Sequence, residues 1–202
     1  MSVTGTIDFY TWVNARLNVS AHTQIGEDKL RLLKEIYRKD NLNLSGRTIC
    51  REAVRGIILQ GNRLLMVYSS KIGDYKFPGG GVEAGETHEE ALVREIREEC
   101  GAEVTAIRSG FGKIIEYMKP QEKEYDVFKM TSYYYLCDAG PVLGDQNLDD
   151  YEEKLGFMPV WVDIDTAMEA NKAVIETKKQ DCPRWTQREI FVLELLKKEF
   201  DR

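Results

Sequence analysis

Residues 77–101 restrict this chain more than any other stretch, because they admit one local solution. Phe77-Pro78-Gly79-Gly80-Gly81-Val82-Glu83-Ala84-Gly85-Glu86 sets four glycines and a proline among ten residues. That composition predicts a loop whose backbone can approach a ligand closely. A helix should follow at about residues 88–100. Thr87 and Glu90 have the spacing of a capping box, and Gly101 stands where a left-handed residue ends a helix. At 3.6 residues per turn Leu92, Val93, Ile96 and Cys100 form one stripe, while Glu95, Glu98 and Glu99 gather on an adjoining one. The apolar side is expected to face inward and the acid side a cleft.

Those acids pose a charge problem. Like-charged neighbours three and four residues apart each cost about a few tenths of a kcal/mol even when exposed. Arg94 lies four residues before Glu98 and can pair with it, but one guanidinium does not neutralise three carboxylates plus Glu86. Divalent cations would. Mg²⁺ and Mn²⁺ take carboxylate oxygens and commonly bridge them to phosphates. Such an ion polarises a phosphoryl oxygen and lowers the pKa of a water that then attacks phosphorus, and an acid left free takes the proton. On an isolated helix the same residues would read as a solvated face; here they abut the glycine loop.

The rest of the chain narrows the partners. Against 28 Lys and Arg stand 34 Asp and Glu, a net charge of −6. No overall positive field draws in a nucleic-acid polymer or an anionic membrane. Cys50, Cys100, Cys137 and Cys182 form no C-x-x-C pair, which predicts reduced thiols and a cytoplasmic location rather than a zinc site. With His22 and His88 the only histidines, metal binding must rest on carboxylates. No targeting segment and no long apolar run is evident.

Periodicity predicts a helix over 27–39, with Leu30, Leu33, Ile36 and Tyr37 on one side, and a loop over 41–46. A hairpin is expected from 54–59 and 64–68 around Gln60-Gly61-Asn62. Further strands are expected at 103–107, 113–117, 128–137 and 160–162, and closing helices at 166–178 and 186–200. Thr186 and Glu189 have capping-box spacing at the last start, and Ile190, Leu193, Leu196 and Phe200 form a stripe that packs on the domain. The fold class is α/β.

Gly80, Glu86, Arg94, Glu95, Ile96, Glu98, Glu99 and Gly101 also stand at the spacing of a known pattern. The segment at 80–102 resembles the Nudix box, with Ala102 in the last aliphatic place. The resemblance implies a Nudix α/β/α sandwich with a mixed β-sheet over about residues 52–165, within a domain at 51–202 that carries the C-terminal helices. Residues 1–50 would form an N-terminal helical extension serving a homodimer or substrate specificity. It implies Mg²⁺- or Mn²⁺-dependent hydrolysis of a nucleoside diphosphate linked to another moiety: a nucleotide sugar, ADP-ribose, a nucleoside triphosphate or a dinucleoside polyphosphate. Glu95, Glu98 and Glu99 are then metal ligands, Glu86 a supporting acid or further ligand, Arg94 an orienting arginine and Gly80, beside Gly79, a loop-shaping residue. One of the box acids or a downstream Glu acts as base. Of Asp149, Asp150, Glu152 and Glu153, which precede Trp161, Glu153 is favoured. Arg55 and Lys76 are expected to meet phosphate and Tyr68 and Phe77 to stack on a base, although both aromatics serve equally well in a core. Two alternatives share the fold: a nucleotide sensor without turnover, and an isoprenoid diphosphate isomerase using Cys137 or Cys50. Retention of every box acid speaks against the first and the lack of a supporting motif against the second.

Overall fold

The computed structural model describes residues 30–178 and 182–200. In chain order the elements are β1 (Leu32–Tyr37), β2 (Thr48–Gln60), β3 (Arg63–Ser69), β4 (Asp74–Lys76), α1 (His88–Cys100), β5 (Val104–Met118), β6 (Val127–Ala139), α2 (Asp150–Leu155), β7 (Phe157–Asp163), α3 (Ile164–Thr177) and α4 (Arg184–Phe200). The strands run β1-β5-β6-β2-β3-β4, with β7 also paired to β3. β1 is parallel to β5 and β2 to β6; the other pairings are antiparallel. The sheet is therefore mixed.

Strand residues alternate between two cores. Ile57, Leu64, Met66, Tyr134 and Leu136 face Ala167 and Met168 of α3 and Leu193 and Leu196 of α4. Val54, Ile58, Leu65, Val67, Tyr133, Tyr135 and Cys137 face Ala91, Leu92, Ile96 and Cys100 of α1. Burial on both faces explains why these strands read as continuous apolar runs, and the result is an α/β/α sandwich. Each fully buried Leu or Ile contributes about 1.5–3 kcal/mol. Val93 leaves the predicted stripe: it is 42% exposed, because the buried arc of α1 is centred on His88, Leu92, Ile96 and Glu99.

The site depends on how β2 is paired. It meets β3 only at Leu59 and Gln60; beyond that point the two strands diverge. The glycine loop fills the vacated edge, with Val54 N–H donating to Gly80 O (3.0 Å), Gly56 N–H to Pro78 O (2.8 Å) and Val82 N–H to Glu52 O (3.0 Å). The loop is thus laid along a central strand as an irregular ladder, with its backbone polar groups satisfied.

Three expectations need correction. The helix predicted over 27–39 is, from residue 32, the strand β1; residues 1–29, and with them most of the predicted extension, lie outside the described residues. A register shift between Leu32 and Lys34 lets both Leu33 and Ile36 pack on the α4-side core, so a bulged strand imitates helical spacing. The neighbouring strand makes room. A Cβ on Gly112 would meet Leu33 Cδ2 at 2.6 Å. Second, the strands expected at 103–107 and 113–117 are one, β5, whose three register shifts absorb Ser109-Gly110-Phe111-Gly112 without breaking the pairing to β6. Third, Thr186 and Glu189 do not cap α4, which starts at Arg184. The Thr186 hydroxyl donates to Asp74 Oδ2 at 2.7 Å, and Glu189 is fully buried, accepting from Arg188 and Tyr134. Among the described residues no helix is long and apolar enough to cross a membrane.

Candidate active site

The predicted caps of α1 form. Glu90 N–H donates to Thr87 Oγ1 (3.2 Å), Thr87 N–H donates to Glu90 Oε2 (2.9 Å), and Gly101 closes the helix at φ 62°. Fixed at both ends beneath the glycine loop, the helix turns Glu95 and Glu99 into the space under it. Glu99 is almost entirely buried, its side chain 1% exposed. One carboxylate oxygen accepts from Gly79 N–H at 2.7 Å, and the other pairs with the Lys76 ammonium. Gly79 reaches that position at φ 134°, where a Cβ would meet Val54 O at 2.1 Å, so no other residue fits. A Cβ on Gly80 would fall 2.2 Å from Glu95 Oε2. The box glycines therefore make room for the box acids.

Arg94 organises the outer half. It donates Nε and Nη2 to the two oxygens of Glu86, each at 2.8 Å, and reaches Glu95 at 2.8 Å, Glu98 at 3.3 Å and Gly81 O at 3.1 Å. The bidentate pair, with a bond from Glu83 N–H, holds the Glu86 carboxyl down at about 2. Glu95 moves the other way: burial, and the charge of Glu99, raise it against the pull of Arg94 and Arg55.

A fifth acid arrives from α2, and it is Glu152 rather than Glu153. Glu153 is exposed, and its recorded bonds use the backbone. Glu152 lies against Glu99, and burial together with that neighbour pushes its carboxyl up to about 7. Asp149 decides which acid points inward. It caps α2 by accepting from Tyr151 and Glu152 N–H, and its own N–H donates to Glu152 Oε2 at 3.1 Å. The Asp149-x-x-Glu152 spacing was the signal that could have separated the two acids.

Among the remaining candidates, Arg55 and Lys76 line a pocket of about 300 Å³ beside this cluster. Arg55 donates Nη1 to Gly79 O, and its buried Nε has no partner. Phe77 takes its core alternative, whereas Tyr68 is half-buried and lies outside both cores. Phe77 is fully buried, edge-on to Tyr134 at 5.8 Å, and Tyr68 packs on Tyr75 at 4.8 Å. His88 is buried with Nδ1 2.6 Å from Tyr135 Oη. Cys137 is buried in the α1-side core, its thiol pushed up by burial, and Cys50 is exposed. Sequence reasoning missed the far wall of the pocket, formed in part by Trp185 and Arg188 of α4.

The NUDIX domain profile matches residues 51–181 of this sequence. The chain belongs to the Nudix family. Curated relatives of this Nudix chain include an RNA pyrophosphohydrolase of Nitratiruptor sp., 34% identical over 70 residues that cover 33% of this chain and 45% of that one. An ADP-ribose pyrophosphatase of Methanocaldococcus jannaschii is 50% identical over 52 residues, 24% of this chain and 31% of the other. The chain thus spans less than half the length of these relatives. A solved NUDIX hydrolase from Nitrosomonas europaea aligns with TM-score 0.47 at 18% identity, covering 70% of this chain and 86% of that one.

Nudix proteins generally use divalent metal ions, and the donor set here suits one. Glu95, Glu98, Glu99 and Glu152 offer hard oxygens, and Gly80 leaves Glu95 a cradle that a Cβ would fill. Lys76 and Arg94 leave a surplus of negative charge. Among the described residues no group of three acid, His or Cys side chains is placed to hold a metal ion.

Proposed function

We propose that this chain is a Mg²⁺- or Mn²⁺-dependent pyrophosphohydrolase cleaving a small nucleoside diphosphate derivative by water attack on phosphorus. The observation that carries this reading is the interlock of loop and helix. Gly79 and Gly80 are shaped around Glu99 and Glu95, and Lys76 and Arg94 pair with the same acids. Glu95, Glu98 and Glu99 would hold the cation, which when bound polarises a phosphoryl oxygen and acidifies a water. Glu86 has both oxygens on Arg94 and serves as a clamp that aims this arginine at Glu95 and Glu98. Arg55 and Lys76 receive phosphate oxygens, and Glu152, opposite the box helix, accepts the proton of the attacking water. The curated relatives named RNA pyrophosphohydrolase and ADP-ribose pyrophosphatase agree with a phosphoanhydride substrate.

A cytoplasmic location and a homodimer belong to the same reading. β1 is the edge strand of the sheet, with Leu32 and Tyr37 exposed, and offers a pairing surface to a second copy.

The test is a screen of nucleotide sugars, ADP-ribose, NADH, nucleoside triphosphates and dinucleoside polyphosphates with Mg²⁺, products resolved by chromatography. Hydrolysis of at least one class, abolished by EDTA and restored by excess Mg²⁺ or Mn²⁺, is expected. Binding without turnover across the panel would favour a sensor, and full activity in EDTA would remove the metal from the scheme.

A further inference from the structure

The pocket beside the acids changes character along its length. At its inner end are Lys76, paired with Glu99, and Arg55, whose buried Nε lacks an acceptor. Beyond them stand Met118 from β5, Phe128 and Met130 from β6, and from α4 the indole of Trp185 and Arg184, whose Nη1 lies 3.0 Å from Met118 Sδ. Trp185 spends its N–H on Asp74 Oδ2 at 2.8 Å, and Asp74 is held in turn by Thr186. The indole is therefore pinned by its edge and can offer the pocket only carbon surface. Arg188, Arg38, Glu116 and Glu189 are paired with one another. Arg188 donates to Glu116 (2.8 Å), Ser132 (3.2 Å) and Glu189 (2.6 Å), and Arg38 donates to the other oxygen of Glu116 (2.6 Å). Neither guanidinium needs a ligand anion.

Cationic groups next to the cleavage acids, followed by thioethers and two aromatic rings, complement a phosphate attached to a flat heteroaromatic ring. A volume of about 300 Å³ is at the small end for ligand sites and suits a base with its ribose rather than a second nucleotide. The profile match ends at residue 181, so the indole wall comes from outside the matched segment. We infer that Trp185 is a specificity-determining residue that stacks on the nucleobase of the substrate, the second moiety lying outside this pocket. This rests on the proposed hydrolase reading and adds which end of the substrate is recognised.

Calorimetry with Mg²⁺ tests it, using the α,β-methylene diphosphates of adenosine and uridine, and inorganic pyrophosphate as the probe without a base. In Trp185→Ala, Kd for at least one nucleotide should rise about tenfold or more, the scale of one base–aromatic stack, while pyrophosphate binding stays within about twofold. Trp185→Phe should recover most of the affinity, and the effect on turnover should fall on KM rather than kcat. Should Trp185→Ala fail to fold, Met130→Trp, at a half-buried position, fills the same space and should block nucleotide but not pyrophosphate. The inference is overturned if neither substitution separates the two probes, or if wild type binds pyrophosphate as tightly as both nucleotides. A wild type that hydrolyses nothing and binds no probe overturns the hydrolase reading as well.

Discussion

Two clusters of glutamate, arginine and lysine lie within this fold, and they are built on opposite principles. Between β5, β6 and α4, Arg38 and Arg188 meet Glu116 and Glu189, two positive groups for two negative ones. Burial alone would push Glu116 up, but Arg188 and Arg38 outweigh it and hold the carboxyl below its ordinary value. Beneath the glycine loop, Arg94 and Lys76 face Glu86, Glu95, Glu98, Glu99 and Glu152, and there Glu95 and Glu152 are pushed up. The first cluster is complete without a ligand. The second carries surplus carboxylate in partly desolvated surroundings, the condition under which perturbed acids mark a working site.

The contrast can be broken from either side. The largest effect is expected for Glu116→Ala, which removes the acceptor shared by Arg38 and Arg188 and leaves Arg188 only Glu189 and Ser132. Removing one partner of a buried ion pair costs about 3–5 kcal/mol, read as a loss of thermal or denaturant stability that exceeds any loss of kcat. A drop in kcat without loss of stability would reverse the assignment of the two clusters. Next is Glu98→Gln in the surplus cluster, at a side chain 37% exposed. Here kcat should fall by about 10²–10³-fold, while the circular dichroism spectrum and melting temperature stay near wild type; unchanged phosphate release would remove Glu98 from the site. The smallest effect sharpens the comparison inside α2. Glu152→Gln should lower kcat by about 10²-fold, in the range for one general base, while Glu153→Gln stays within about twofold. Equal effects in both variants would undo the reading of the Asp149 cap.

Legibility followed the range of the interactions. The loop and both caps of α1 are set by residues within a few positions of one another and form as expected, while the hairpin keeps its turn but pairs only at Leu59 and Gln60. The box acids were likewise recognisable, because their spacing repeats a helical turn. β1 was misread because its pattern is shaped by a bulge, and the room for Leu33 is left by Gly112, 79 residues away. Thr186 looked like a cap until Asp74, 112 residues distant, claimed its hydroxyl. Phe77 carried the right chemistry for stacking on a base, but packing spent it in the core, and Tyr68 packs on Tyr75; Trp185 is the ring proposed for that place.

Sequence alone determined which groups this Nudix chain brings to its chemistry: a loop of glycines, a capped helix and more carboxylates than its nearby cations can balance. Local dihedral preferences and charge spacing are properties of neighbouring residues and survive in any context. Tertiary structure decided which of those groups share a cleft. β2 parts from β3 and receives the loop, α2 turns Glu152 inward, and α4 supplies the indole. Each of these contacts joins residues far apart in the chain, where only the closed packing of both sheet faces selects the partner.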